Sequence, residues 1–304
     1  MTIIQWYPGH MTKAKKNMEQ DIATVDLSIV VLDARIPLSS YNPDFNKILK
    51  KKPILVVLNK ADLANPAATK EWIKYYEQRE ITAVAMNSQK KQGMQELIKK
   101  AVASAEPVMQ RLEARGRKRR PVRAMVAGSP NTGKSTLINA IMPKSVSKTG
   151  NKPGVTRGKQ WVRINDKIEL LDTPGVLWPK FENPKVAFAL AITGAISNDV
   201  YDTYEVALQL IDWLRENNPD ALPQRFKIEA AADDTSEAVL EKIGKARGML
   251  AAGGVVRVED AAKILLAEFR NGKLGRYTVD RLPQPKKDDT PNQDNKESED
   301  NDNA

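Results

Sequence analysis

The chain has no cysteine and a single histidine. Disulfide frameworks, thiol nucleophiles and cysteine-ligated zinc or iron–sulfur centres are therefore excluded, and so is a multi-histidine metal site. Long hydrophobic runs are also missing. The longest apolar stretch, around Val186 to Ile196, falls short of the ~18 residues of a membrane span and suits a buried helix. The amino-terminal residues show neither a basic segment followed by a hydrophobic stretch nor an Arg/Ser-rich amphipathic pattern, so no secretory or organelle signal is expected. These absences lead to an expectation of a cytoplasmic protein without membrane attachment.

With 304 residues, the chain has room for about two domains and a sizeable core. The formal charge of +10 is unevenly spread. Residues 1–182 hold 32 Lys/Arg against 16 Asp/Glu, residues 183–282 hold 13 against 15, and the tail 283–304 holds 3 against 7. The tail is acidic and, apart from Ala304, without apolar residues after Leu282, so it is expected to be disordered. Basic clusters lie at Lys13, Lys15 and Lys16, at Lys50 to Lys52, and most densely at Arg115, Arg117, Lys118, Arg119 and Arg120. Three such clusters in one half of the chain point to a polyanionic partner, nucleic acid first.

Short β-branched runs alternate with amphipathic stretches over the first 182 residues, the pattern of an α/β domain with a mostly parallel sheet and flanking helices. Strands are expected at Leu27–Leu32, Ile54–Leu58, Ala83–Ala85, Val122–Ala127, Gln160–Ile164 and Ile168–Leu171. Helices are expected at Pro43–Lys50, Ala67–Arg79, Met94–Met109 and Gly133–Met142. After Pro184 only helical spacing remains. Val206, Leu210, Trp213 and Leu214 form one stripe, and Val239, Ile243, Ala246 and Leu250 a second, capped by Thr235 or Ser236. Ala261, Ile264, Leu265 and Phe269 form a third, ended by Gly272. A smaller all-α domain over residues 183–282 follows from this change.

Gly128-Ser-Pro-Asn-Thr-Gly133-Lys134-Ser135 has the spacing of a phosphate-binding loop between a strand and a helix. Glycines let backbone N–H groups approach phosphate, and the helix N-terminus adds a favourable dipole. Asn131, Thr132, Gly133, Lys134, Ser135 and Thr136 are thus expected to line the phosphates. Lys134 should reach the β- and γ-phosphates, and the Ser135 hydroxyl should hold Mg²⁺. Asn59-Lys60-Ala61-Asp62 follows another strand. A carboxylate there can accept from both N1–H and the 2-amino group of guanine, a donor pair that adenine lacks. Asp62 takes that role, with Asn59 bracing the loop and contacting the base edge and Lys60 lying along the ring. Asn87 and Ser88 are expected to close the pocket through backbone N–H groups. Asp172-Thr-Pro-Gly175 follows the last strand, so Asp172 would hold Mg²⁺ through water and Gly175 N–H would meet the γ-phosphate. Thr156, in Pro153-Gly-Val-Thr-Arg157, offers a further hydroxyl to Mg²⁺.

The base-reading motif precedes the phosphate loop, the reverse of the usual GTPase order. A pocket at the carboxyl edge of a sheet depends on where strands lie and not on their chain order, so a circular permutation is physically permissible.

In these motifs, and in Trp6-Tyr-Pro-Gly-His10-Met11 and Asp33-Ala-Arg-Ile-Pro37, the chain resembles the ribosome biogenesis GTPase A family of circularly permuted GTPases over about residues 1–282. Zinc-bearing permuted relatives fit poorly, because there is no cysteine and no β-rich segment before the first strand long enough for an OB-fold. The resemblance implies a GTPase that acts late in maturation of the large ribosomal subunit (50S), monomeric off the ribosome, with the helical domain helping to contact ribosomal RNA. Arg270, Lys273 and Arg276 offer a local basic patch for that contact.

The glutamine that orients water in Ras-like enzymes is replaced by Val176, which cannot do so. The resemblance points instead to His10, whose neutral imidazole can accept from water. Asn131 is similar to the phosphate-loop asparagine of potassium-activated GTPases, which implies K⁺ as an activating ion. Val176 also keeps open a nucleotide-gated binding switch with negligible intrinsic hydrolysis. A phosphate-loop kinase would give no reason for the base-reading motif.

Overall fold

The computed structural model of the protein describes residues 18–49, 52–142, 161–171 and 183–283. His10, Thr156, Asp172, Gly175, Val176 and the acidic tail from residue 284 lie outside the described residues, as does the cluster at Lys13, Lys15 and Lys16.

Six strands form one sheet: β1 (Leu27–Asp33), β2 (Ile54–Asn59), β3 (Thr82–Met86), β4 (Val122–Ala127), β5 (Trp161–Arg163) and β6 (Ile168–Leu171). Their order is β3-β2-β1-β4-β6-β5. All neighbours run parallel except β5, which pairs antiparallel with β6 at the edge. The sequence expectation of a mostly parallel sheet holds, with strand limits moved by at most one residue.

The central strands are apolar at nearly every position because both sheet faces are covered. Ile29 and Val31 of β1 and Leu55 and Val57 of β2 face one core, closed by α3 (Met94–Ala114) through Leu97, Ala101 and Ala105 and by α4 (Lys134–Ile141) through Leu137 and Ile141. Val30, Leu32, Val56 and Leu58 face the other core, with Phe45 of the short α1 (Phe45–Ile48) and Trp72 and Tyr76 of α2 (Pro66–Glu77). Asn65 caps α2, its side chain accepting from Ala67 N and Ala68 N at 2.9 and 3.1 Å. Helix α3 runs five residues past the expected end at Met109. Pro107 lies inside it on the exposed side, where the carbonyl one turn back can bond to water.

Among the described residues after 182, the structure is helical apart from one isolated bridge between Leu250 and Val256. Helices α5 (Pro184–Thr193), α6 (Thr203–Asn217), α7 (Ala221–Phe226), α8 (Ser236–Ala246) and α9 (Val258–Arg270) share a core that includes Leu190, Leu210, Ile243 and Leu265. Thr235 is the cap of α8, its hydroxyl accepting from Ala238 N at 3.2 Å. Ile36, from the loop after β1, is buried in this helical core. The chain returns the contact at its end: Val279 N donates to Arg35 O at 2.7 Å, and Ser39 donates to Asp280 from both N and Oγ at 2.7 and 2.6 Å. The two layers are thus tied at the carboxyl edge of the sheet. Among the described residues no helix is long and apolar enough to cross a membrane.

Leu210 has no exposed surface at the centre of the helical core. Leu210→Ala should destabilise that layer by about 2–5 kcal/mol through lost transfer energy and the cavity left behind. Urea unfolding followed by fluorescence of the neighbouring Trp213 measures it.

Candidate nucleotide site

Three loops meet at the carboxyl edge, where β1 pairs with both β2 and β4. The loop from Gly128 to Gly133 leaves β4 and enters α4. Gly128 sits so close to Val31 O that a Cβ would collide with it, and a Cβ on Gly133, at φ +95°, would strike the Asn59 side chain. Both glycines are required by close backbone approach. The loop is braced from within: Ser129 Oγ donates to Ser40 O at 2.6 Å and Thr132 Oγ1 to Ser129 O at 2.9 Å. Lys134 Nζ, largely buried, also donates to Ser129 O at 2.6 Å. The N–H groups of Asn131, Thr132 and Gly133 have no acceptor among the described residues. Such a run of unpaired donors at a helix start suits an anion with several oxygens.

Asn59 joins the swapped halves. Its Nδ2 donates to Thr132 O at 2.9 Å, and its Oδ1 accepts from Ser88 N and Ser88 Oγ at 3.2 and 2.7 Å. One side chain thereby bridges the loops after β2, β3 and β4. The second Nδ2 hydrogen is what remains open on this side chain among the described residues. Lys60 Nζ reaches Asn131 O at 2.6 Å and the Asp33 carboxylate at 2.9 Å. Arg35 clasps the same carboxylate at 2.9 and 2.7 Å. Burial by itself would raise the Asp33 pKa, but Arg35 and then Lys60 hold it well below the usual carboxylate range. Burial likewise works against the Arg35 charge, and Asp33 and Asp62 sustain it, so its pKa is raised.

The expected part of Asn87 and Ser88 needs correction. Asn87 N–H donates to Gln92 O at 3.1 Å and Ser88 N–H is taken by Asn59, so neither backbone group is open to a ligand. Gln89, one residue further on, lines the cavity and its N–H has no acceptor among the described residues, which sequence reading missed because no side-chain signal marks a backbone N–H. Asn87 differs: its buried Nδ2 has no partner among the described residues, while its Oδ1 accepts from Lys90 N at 3.0 Å.

These groups line a cavity of about 350 Å³ that includes Asn59, Lys60, Asp62, Asn87, Ser88, Gln89, Gly133 and Thr136. Its volume lies within the range of roughly 300–1,000 Å³ usual for small-molecule sites. Thr193, Arg270 and Asn271 of the helical layer complete the wall, a contribution no sequence motif announces. Ser135 is exposed at the start of α4. A larger groove of about 440 Å³ runs between α3 and the Asn165–Lys167 turn, but it holds no glycine loop and no orphaned donor. The smaller cavity is the candidate site.

Comparison with known proteins gives the family. The family described as "50S ribosome-binding GTPase" matches residues 123–242, beginning within β4 and so leaving out the base-reading motif upstream. Ribosome biogenesis GTPase A of Bacillus cereus is 40 % identical over 278 residues, covering 91 % of this chain and 94 % of that protein. This chain belongs to the ribosome biogenesis GTPase A family. It is accordingly a GTP hydrolase. Mitochondrial ribosome-associated GTPase 1 of Mus musculus is 30 % identical, covering 92 % and 90 %. The solved structure of GNP-bound YlqF from T. maritima shares the fold at a TM-score of 0.58, with 24 % identity and coverage of 88 % and 98 %.

Gly133→Ala should force either the αL backbone or Asn59 to move, at a cost of about 1–3 kcal/mol. Titration with a fluorescent GDP analogue should then show binding about 5- to 100-fold weaker. Unchanged affinity would mean that the Gly133–Asn59 contact does not shape the site.

Proposed function

We propose that this GTPase binds the immature large ribosomal subunit, promotes a late step of its assembly, and hydrolyses GTP faster when bound to that particle. The observation that carries the nucleotide part is the Asn59 bridge, which gathers the base-reading and phosphate loops from two swapped stretches around one cavity. The ribosomal part draws on the names of the relatives and on the charge of residues 1–182. Arg115, Arg117 and Lys118 are exposed and without an acidic partner among the described residues, a surface suited to an RNA backbone. The patch expected at Arg270, Lys273 and Arg276 is weaker support. Arg270 turns inward to Ala191 O and Tyr201 at 2.8 and 2.6 Å, and Lys273 pairs with Glu268 at 3.3 Å. The protein acts as a cytoplasmic monomer between encounters with the ribosome.

In this reading Asp62 accepts from guanine N1–H and the 2-amino group, Gln89 N–H donates to O6, and Asn59 keeps the loops in register. Asn131, Thr132 and Gly133 offer backbone donors to the phosphates, and Lys134 exchanges Ser129 O for phosphate oxygen. The exposed Ser135 hydroxyl is a hard oxygen donor of the kind Mg²⁺ takes beside phosphate and water. With Thr156 and Asp172 it would hold that ion, which when bound neutralises charge on the β- and γ-oxygens. Gly175 N–H meets the γ-phosphate, and His10 orients the attacking water in the place that Val176 cannot fill. Asn131 keeps its side-chain carbonyl for K⁺.

Co-sedimentation with separated ribosomal subunits tests the main claim. The large subunit should retain the protein with a non-hydrolysable GTP analogue more than with GDP; equal recovery with the small subunit would overturn the assignment. His10→Ala should bind the particle normally yet lose its stimulation of phosphate release, a loss of about 10²–10⁴-fold for a general acid–base group. Hydrolysis should also run faster in K⁺ than in Na⁺, and equal rates would remove the role given to Asn131.

A further inference from the structure

Residues of the base-reading and phosphate loops are joined to the helical layer in a closed ring. Arg35 binds Asp33 through Nε and one terminal nitrogen at 2.9 and 2.7 Å. Asp33 holds Lys60 at 2.9 Å, and Lys60 reaches Asn131 O at 2.6 Å. The Asn131 side-chain amide donates to Gly194 O at 3.0 Å. Next to it, Thr193 O accepts from Arg35 at 3.1 Å, which closes the circuit. Arg35 also donates to Arg270 O at 3.3 Å, so the carboxyl ends of both α5 and α9 rest on one buried guanidinium.

Three features make this more than packing. Asp33 and Arg35 are almost fully buried, so neither can take a water in place of its partner at low cost. Lys60 and Asn131 both adopt left-handed backbone, φ +57° and +56°, which non-glycine residues avoid unless the surroundings hold them there. The two carbonyls that Arg35 and Asn131 grip belong to the last turn of α5, where a cation is favoured by the helix dipole.

We propose that Arg35 is a positioning residue for the nucleotide, acting through Asp33 on Lys60, and that the ring makes guanine-nucleotide binding and docking of the helical layer one linked equilibrium. The inference rests on the guanine-pocket reading of the same cavity. A nucleotide that touches Lys60 and the 131–133 loop stiffens the hold on Thr193 and Gly194. By linkage, a partner that lifts the helical layer loosens base and phosphate contacts together. Because neither contact involves the γ-phosphate, GDP is a sufficient ligand.

Hydrogen exchange on the full chain with and without saturating GDP tests this. In the unaltered protein GDP should slow exchange at residues 128–136 and also at 190–198, the latter by a factor between about 5 and 150. Arg35→Lys keeps a cation for Asp33 but cannot fork to both carboxylate and carbonyls. With GDP again at saturation, it should retain slowing at 128–136 while the ratio at 190–198 falls below about twofold. A merely structural role would speed 190–198 in both states and leave that ratio intact, which would overturn the proposal. So would an unaltered chain in which GDP leaves 190–198 untouched, a result that needs no variant to fold. Asp62→Asn separates the two readings. If it binds GDP like the unaltered chain, the guanine pocket itself is misassigned. If it loses GDP while 190–198 in the unaltered chain ignores the nucleotide, the ring alone fails.

Discussion

The parallel ladder between β1 and β4 is the constraint on which the site depends. It sets Leu27 beside Ala124 and Val30 beside Ala127, so two strands nearly a hundred residues apart end at the same edge. Since β2 pairs with β1 on its other side, the base-reading loop after Asn59 and the phosphate loop after Ala127 open into one space. Register matters, because a one-residue slip would turn every core side chain to the opposite face. The alternation of Ile29 and Val31 with Val30 and Leu32 between two apolar layers penalises that slip. Chain order is free to vary while this ladder is kept.

Buried charge adds specificity to what apolar packing begins. Asp33 and Arg35 meet where water is excluded, with the partly exposed Lys60 at their edge, and each buried charge is tolerated because the other answers it. Such clusters add little net stability over an apolar core, yet removing one member costs about 3–5 kcal/mol. Asp33 and Arg35 therefore define a single arrangement of the loop after β1. That loop carries Ile36 into the helical core and Ser39 to Asp280. The nucleotide cavity and the seam between the layers are built from the same few residues.

The strands were legible to within one residue, since β-branched runs bounded by turns leave few alternatives. The cap of α8 was narrowed to Thr235 or Ser236 because such side chains compete for orphaned N–H groups, and the structure selects Thr235. Helix α3 exceeded its expected length because Leu112, beyond Met109, still packs against the sheet core. In the pocket, Asn59, Lys60 and the phosphate loop stood out because their chemistry lies in side chains and glycines at fixed spacing. Gln89 did not, because what it offers the cavity is an unpaired backbone N–H that no side-chain pattern marks. Arg270 was misjudged as surface, since charge in a sequence does not say whether carbonyls of another helix lie within reach.

By itself the sequence determined the phosphate-loop and base-reading motifs, their inverted order, the change from mixed to purely helical patterning near residue 183, and the concentration of positive charge before it. Local spacing and composition suffice for these, because each depends on residues close together in the chain. Tertiary structure decided which backbone donors stay open, which basic residues turn inward, and how Thr193, Gly194 and Arg270 join the nucleotide cavity to the helical layer. Those outcomes depend on which carbonyl lies opposite which side-chain donor across 63 to 235 residues of chain, and only the packed sheet and helices bring them together.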